Sequence, residues 1–71
     1  MKLKKLLKVI PEHEFLMIKS GEVRWLQEHV IPKKVEEKYL DCKVNYILPC
    51  VSWKHDLVTL VDIDYDEEPA Q

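Results

Sequence analysis

The chain contains very little glycine, cysteine or arginine, and each shortage argues against a class of function. Gly21 is the only glycine among the 71 residues, so the sequence has no glycine-rich loop of the kind that holds nucleotide phosphates. The two cysteines, Cys42 and Cys50, are too few for the disulfide framework of a small secreted domain. Arg24 is the single arginine, which gives little support to base recognition in nucleic acid.

Long apolar runs and a strong net charge are also missing. No apolar run approaches the roughly 20 residues that span a bilayer. Residues 1–8 scatter lysines among leucines and lack the apolar segment of a secretion signal. The net charge of −2 creates no overall field that attracts nucleic acid or membranes. We therefore expect a cytoplasmic protein with no membrane partner.

Apolar residues make up 46% of the sequence, which is sufficient for a globular core. A chain of this length buries only about 60% of the surface that its unfolded form exposes, so it is marginally stable without a partner. We predict one domain over residues 1–65, followed by an acidic tail over residues 66–71.

The densest aliphatic and β-branched stretch, residues 56–64, predicts the central strand of the fold. Its first five residues are largely apolar on both faces, whereas Asp62 and Asp64 make one face acidic near its end. This pattern predicts a strand that begins in the interior, leaves it, and has neighbours on both edges.

The remaining elements follow from periodicity and from proline and glycine. Apolar residues at helical spacing predict a first helix over residues 3–10, ended by Pro11. Ile31 and Pro32 predict the start of a second helix. Further strands are predicted over residues 14–19, 23–27 and 42–48, with a tight turn at Gly21 and an end at Pro49. The predicted fold class is α+β, with an antiparallel sheet of about four strands and two short helices in the order αββαββ.

The charges of the predicted second helix oppose its dipole. Lys33 and Lys34 lie near its beginning and Asp41 lies near its end, the reverse of the favourable arrangement. Packing must therefore hold this helix, and the two lysines are candidates for contact with a partner.

Metal-binding patterns are weak in this sequence. The histidines and cysteines are scattered, and the closest pair, Cys50 and His55, has four residues between its members. Residues 62–68 resemble the opening of an EF-hand loop, but Glu67 stands where that loop needs glycine. We expect no metal and interpret these acids as a solvated strand end that deters edge pairing, with weak cation binding as the alternative.

The candidate nucleophiles lack the surroundings that catalysis requires. Ser20, Ser52 and the two cysteines occur outside any nucleophile-elbow or phosphate-loop pattern. A chain of this size also encloses a large pocket with difficulty. We expect no catalytic residues, no cofactor and no enzymatic activity.

Contact with another protein has better support. Two short helices cover only one face of a sheet, and the other face is predicted to expose apolar residues such as Leu26, Ile47, Val58 and Leu60. Tryptophan and arginine are the residue types that anchor interfaces. The alternative is that connecting segments fold across this face and bury it. The candidate partner-binding residues are Arg24, Trp25, Leu26, Lys33, Lys34, Trp53, Val58 and Leu60.

Four segments, at residues 4–11, 31–32, 40–47 and 60–63, resemble a pattern found in small proteins of phages and prophages of Firmicutes. The matching residues contribute to the fold, and the resemblance assigns no catalytic residues to this chain. The resemblance implies a phage-encoded protein of the host cytoplasm that acts by binding, including as an inhibitor of host defence.

These observations predict a non-enzymatic binding protein that forms a homodimer or small oligomer and contacts a host protein. Two alternatives remain open. The first is an oligomer that sequesters a nucleotide signal. The second is a nucleic-acid-binding accessory factor that uses the lysines on the outer faces of the two predicted helices, namely Lys2, Lys4, Lys5, Lys8, Lys33, Lys34, Lys38 and Lys43.

Overall fold

The computed structural model describes residues 1–22 and 24–66. These residues form a four-stranded mixed sheet, one short helix and two 3-10 turns. Most of the predicted acidic tail, residues 67–71, lies outside the described residues. In chain order the elements are α1 (Leu3–Leu7), β1 (Leu16–Lys19), β2 (Trp25–Val30), a first 3-10 turn (Pro32–Lys34), a second 3-10 turn (Glu37–Tyr39), β3 (Lys43–Val51) and β4 (Leu57–Asp64).

The strands lie in the order β2-β1-β4-β3. β4 therefore has neighbours on both edges, as its sequence predicts. The prediction that it begins in the interior is wrong, because Leu57 at its start is exposed and Ile63 near its end is buried. β1 pairs with β2, and β3 with β4, in antiparallel fashion, but β1 and β4 are parallel. The prediction of an antiparallel sheet is therefore wrong, because the segment between β2 and β3 carries the chain across the sheet and seats β4 beside β1.

The first hairpin turns at Gly21, as predicted, and this residue has a φ of 83°. Glycine reaches this left-handed conformation without the steric cost that a Cβ atom imposes. β2 begins at Trp25 and continues to Val30, three residues beyond the predicted end of that strand.

The prediction of a second helix is wrong. The chain forms two 3-10 turns, and between them Val35 and Glu36 have extended backbones. The unfavourable end charges and the lack of any side-chain cap account for the failure of a continuous helix. The Gln27 side chain holds the segment instead, because its amide nitrogen donates to the Lys34 carbonyl at 3.3 Å and its amide oxygen accepts from the Glu36 N–H at 2.9 Å.

β3 does not end at Pro49, as predicted, but passes through it to Val51. Pro49 lies opposite Thr59, whose N–H donates to Phe15 on the β1 side of β4. In an antiparallel pair, two directly opposed residues direct their N–H and C=O groups either both toward the partner strand or both away from it. The nitrogen of Pro49 therefore points away from β4, where no ladder hydrogen bond is lost.

The main core lies on one face of the sheet, beneath α1 and the 3-10 turns. A smaller cluster of Met17, Val58 and Leu60 lies on the other face and includes no residue of α1 or the 3-10 turns. The main core consists of Leu3, Leu6, Leu16, Ile18, Val35, Tyr39, Val61 and Ile63.

Backbone hydrogen bonds attach α1 to the beginning of β3. The Leu3 N–H donates to Cys42 at 2.9 Å, and the Val44 N–H donates to Met1 at 2.8 Å. The helix ends at Leu7, three residues before the predicted end, and the fully buried Leu3 anchors it.

Asp62 and Lys19 form a buried ion pair between β4 and β1, with 3.5 Å between Lys19 Nζ and Asp62 Oδ1. Asp62 also accepts hydrogen bonds from the Gly21 N–H at 3.1 Å and from Asn45 Nδ2 at 3.0 Å. The interpretation of Asp62 as part of a solvated strand end is wrong, because Asp62 is buried and its oxygens are occupied. Hydrogen bonding with Tyr46 is the main cause that raises the pKa of Lys19, and the negative charge of Asp62 adds to it against the opposing effect of burial.

Replacement of Leu3 by alanine tests the anchoring of α1. We expect Leu3→Ala to lower the free energy of unfolding by about 2–5 kcal/mol, because it leaves a cavity in the main core. Val9→Ala, at an exposed site, is the control and should change it by less than about 0.5 kcal/mol. Urea titration followed by circular dichroism measures both, and equal effects would contradict the anchoring role.

Removal of the Asp62 carboxylate tests the buried ion pair. Asp62→Ala should lower the melting temperature well below that of Asp64→Ala, an exposed control on the same strand, because it leaves the Lys19 ammonium buried without its partner. The double variant Lys19→Met/Asp62→Leu should recover much of the loss. Thermal unfolding of the four proteins gives the comparison, and a harmless Asp62→Ala change would show that the pair is dispensable.

Candidate functional site

The β3–β4 hairpin exposes Tyr46, whose ring lies beside the Lys19 ammonium group, and five further large apolar side chains. We call these five the hairpin surface. Their exposed fractions range from 48% to 78%. Isolated exposed apolar residues are ordinary on a protein surface, but a group of them on one element is typical of an interface. The members of the hairpin surface are Ile47, Leu48, Val51, Trp53 and Leu57.

Strand register explains why this part of the sheet is uncovered. Val51 lies opposite Leu57, and Ile47 lies opposite Val61, so these residues continue the face that bears the main core. The prediction that Ile47 lies on the opposite face of the sheet is therefore wrong. The helix and the 3-10 turns contribute to the core around Val61 and Ile63. The hairpin extends beyond that cover, and its outer apolar side chains therefore face solvent.

The hairpin turn is well defined and presents Trp53 at its tip. The Ser52 N–H donates to the Asp56 carbonyl at 2.8 Å. The buried Ser52 hydroxyl accepts from the N–H groups of Lys54 at 3.2 Å and Asp56 at 3.4 Å. Trp53 is 69% exposed, and His55 completes the turn with a φ of 66°. Ser52 is a candidate nucleophile by residue type, but its hydroxyl accepts the two hydrogen bonds that stabilise the turn.

A shallow depression of about 220 Å³ lies within the hairpin surface, lined by Ile47, Leu48, Pro49 and Thr59. Within residues 1–22 and 24–66, the outer edge of β3 pairs only near Lys43, with the segment that precedes α1. Pro49 removes one donor from the remaining edge and so opposes the continuous addition of another strand. Side chains rather than backbone groups are therefore the contacts that the hairpin offers.

The structure does not bring the two predicted tryptophans together. Trp25 is 46% exposed on β2, whereas Trp53 belongs to the hairpin of β3, the strand at the opposite edge of the sheet. Arg24 is half-buried, and its Nη1 donates to the Tyr65 carbonyl at 3.2 Å. Lys33 and Lys34 are exposed on the first 3-10 turn.

Three predicted contact residues are less accessible than the sequence suggests. Val58 and Leu60 are only 2% and 9% exposed, so the expectation that they lie on an open sheet face is wrong. They pack with Met17 and Cys50 across neighbouring strands. Leu26 is half-buried against the main core, so its expected place on the second face is also wrong. As placed, Val58 and Leu60 present almost no surface to a partner.

Sequence reasoning missed Leu48, Val51 and Leu57. Their signal is present in the chain, since each lies in an apolar stretch that flanks the turn at Ser52. The prediction that β3 ends at Pro49 hid this signal, because it placed Val51 in a connector. Once β3 continues to Val51, its side chain falls opposite Leu57, and the two form one apolar surface.

The groups with chemical potential do not form a reactive centre. His29 has a φ of 54° and stacks on Phe15 with ring centroids 4.1 Å apart. Its Nε2 atom is buried and lies 3.5 Å from Asp56 Oδ2 without hydrogen-bond geometry. Burial raises the pKa of the Cys42 thiol, and the charges of Asp64 and Asp41 raise it further. This cysteine is therefore mostly protonated at neutral pH and a poor nucleophile.

Residues 1–22 and 24–66 contain no group of three or more histidine, cysteine, aspartate or glutamate side chains placed to hold a metal ion. No helix within these ranges has the length and apolar character needed to cross a membrane. Comparison with protein-family models, curated proteins and solved structures finds no match.

Proposed function

We propose that this protein is a small, non-enzymatic binding protein that works through protein–protein contact, and that the hairpin surface joins two copies into a homodimer. The observation that carries the proposal is the concentration of five exposed apolar side chains on one hairpin. Exposed patches of this kind usually mark an interaction site.

A second copy is the occupant that the structure favours. A chain of 71 residues buries a small fraction of its surface, so burial of the hairpin surface in a dimer adds stability that the single chain lacks. Ile47, Val51 and Leu57 share one face of the hairpin, whereas Leu48 lies on the other face. An apolar face of this kind can pack against its own copy around a two-fold axis. Pro49 disfavours the competing mode, which is edge-to-edge strand pairing.

The target of the dimer is, in our proposal, a protein of a bacterial host. The support for this step is the resemblance of the chain to small phage and prophage proteins, which implies binding to and inhibition of a host defence factor. Trp25 is suited to the target contact, because it is half-exposed on β2, at the sheet edge opposite the hairpin surface, and tryptophan frequently anchors interfaces.

Truncation of Leu57 tests the homodimer. Leu57 is 78% exposed, so Leu57→Ser should have little effect on the folded single chain. Burial of a leucine side chain contributes about 1.5–3 kcal/mol, and a two-fold interface contains each substitution twice. We therefore expect the dissociation constant of the dimer to rise by about 100-fold or more.

Sedimentation equilibrium measures this dissociation constant. Val9→Ser is the matched control, because Val9 is 74% exposed and lies after α1, outside the hairpin. The control should leave the dimer unchanged. A wild-type protein that remains monomeric at millimolar concentration would overturn the homodimer.

The two tryptophans separate dimer formation from target binding. Trp53→Ala should weaken the dimer, because Trp53 belongs to the hairpin surface. Trp25→Ala should leave the dimer intact and reduce the recovery of a host protein. Pull-down from a Firmicutes lysate, combined with sedimentation of each variant, tests both expectations. Recovery of the same host proteins by wild type and Trp25→Ala would remove Trp25 from the target contact.

A further inference from the structure

A second surface, far from the hairpin, is a cavity of about 450 Å³ between α1 and the beginning of β3. Its volume is in the range of small-molecule sites, about 300–1,000 Å³. We call it the lysine pocket, because five of its seven lining residues are lysines. The lining residues are Met1, Lys2, Lys4, Lys5, Lys8, Asp41 and Lys43.

The lysine pocket concentrates positive charge in a protein that is acidic as a whole. Five ammonium groups and one carboxylate give the lining a net charge of +4. The complete chain carries −2, so the residues outside the pocket sum to −6. Ammonium groups that share a cavity repel one another, and a bound anion relieves that repulsion.

Asp41 neutralises only part of this charge. Its Oδ1 atom lies 3.0 Å from Lys4 Nζ and 3.9 Å from Lys2 Nζ. The hydrogen bond from Lys4, together with the charges of both lysines, lowers the pKa of Asp41, which stays ionised at neutral pH. Within the described ranges, no carboxylate is within 4.0 Å of the Lys5, Lys8 or Lys43 ammonium groups.

The backbone that carries these lysines is fixed. The Leu3 N–H donates to Cys42, and the Lys4 N–H donates to Leu40, each at 2.9 Å. Lys2 and Lys43 form a β-bridge, which places residues from α1 and from β3 side by side. The fully buried Leu3 side chain holds the helix against the sheet. The pocket therefore has a preformed wall, which reduces the entropy lost on binding.

From this geometry we propose that the lysine pocket binds the oligophosphate chain of a small molecule. Lysine offers a compact charge and three donors, which suits phosphate oxygens. A terminal phosphate group brings about −1.5 to −2 charge, and each bridging phosphate adds about one further negative charge, so a chain of about three phosphates matches the +4 of the lining. The aliphatic stems of the lysines and the Met1 side chain offer apolar contact to the rest of the molecule.

A small molecule fits the pocket better than a nucleic acid. The charge is gathered in one cavity rather than spread along a stripe, and the lining contains no aromatic residue on which a base can stack. Lys33 and Lys34 belong to the first 3-10 turn and do not line this pocket, although Lys33 borders a neighbouring depression together with Lys8.

The lysine pocket is independent of the proposed dimer contact. Lys43 and Val51 are the two ends of β3, which at about 3.3 Å per residue puts them roughly 26 Å apart. Loss of the dimer through Leu57→Ser should therefore leave anion binding unchanged, and the two proposals can fail separately.

Calorimetric titration of the full chain with inorganic tripolyphosphate, ATP and AMP tests the proposal. At low salt we expect tripolyphosphate and ATP to bind with dissociation constants below about 100 μM, and AMP to bind at least about tenfold more weakly because it has one phosphate. Tighter binding of ATP than of tripolyphosphate would assign the apolar part of the pocket to a nucleotide, and equal binding would assign the site to the phosphate chain alone.

Charge variants locate the site. Lys5→Gln/Lys43→Gln removes two pocket ammonium groups and should weaken tripolyphosphate binding by about tenfold or more. Lys34→Gln/Lys54→Gln removes the same charge at positions that do not line this pocket and should weaken binding less than about twofold. Asp41→Asn removes the competing carboxylate and should tighten binding by about threefold or more. Circular dichroism confirms that each variant is folded.

Three results would overturn the proposal. The first is no heat of binding for tripolyphosphate or ATP with wild-type protein. The second is equal weakening by the two lysine pairs, which would indicate diffuse attraction rather than a site. The third is tighter binding to a short DNA duplex than to tripolyphosphate, lost in Lys5→Gln/Lys43→Gln, which would make the pocket part of a nucleic-acid surface.

Discussion

The double pairing of β4 is the constraint on which the rest of the structure depends. β4 lies between a parallel neighbour, β1, and an antiparallel neighbour, β3. Its alternating side chains supply Val61 and Ile63 to the main core and Val58 and Leu60 to the smaller cluster. The ion pair of Lys19 and Asp62 crosses the β1–β4 pair at its end, where a shift in register would separate two buried charges.

The mismatch between sheet and cover follows from this arrangement. α1 and the segment from Pro32 to Tyr39 together contribute four residues to the main core, and these pack against the end of β4 that contains Val61 and Ile63. The β3–β4 hairpin continues past them toward Trp53, and its apolar side chains have no layer above them among the described residues. The hairpin surface thus arises because the hairpin is longer than the layer of α1 and the 3-10 turns that covers the sheet. The lysine pocket forms at the other end of β3, where α1 meets that strand.

Local sequence signals predicted much of this fold. The alternation in residues 56–64, the apolar run before Lys19 and the single glycine identify three strands or turns, because each depends on contacts close in sequence. The parallel pairing of β1 with β4 was beyond reach, since strand order depends on packing between distant segments. Helix spacing in residues 31–41 predicted the wrong backbone form, because the adverse end charges and the hydrogen bonds of Gln27 decide it.

The candidate site was harder to predict than the fold. Trp53 was identified by residue type, whereas Val51 and Leu57 become a surface only through their register across the hairpin. Pro49 was interpreted as the end of a strand, although proline is tolerated where its nitrogen points to an open edge. Val58 and Leu60 show the converse error, because neighbours on adjacent strands bury them without any helix above.

The position of Pro49 has a consequence for how this chain can assemble. An apolar hairpin with an unbroken outer edge is a template for open-ended stacking into fibrils, since every added strand exposes a new edge. Proline at the middle of that edge interrupts the repeat of backbone hydrogen bonds and leaves side-chain packing as the remaining mode. In the homodimer that we propose, packing around a two-fold axis closes after one step. The same residue that shapes β3 would then favour a finite pair over polymer growth.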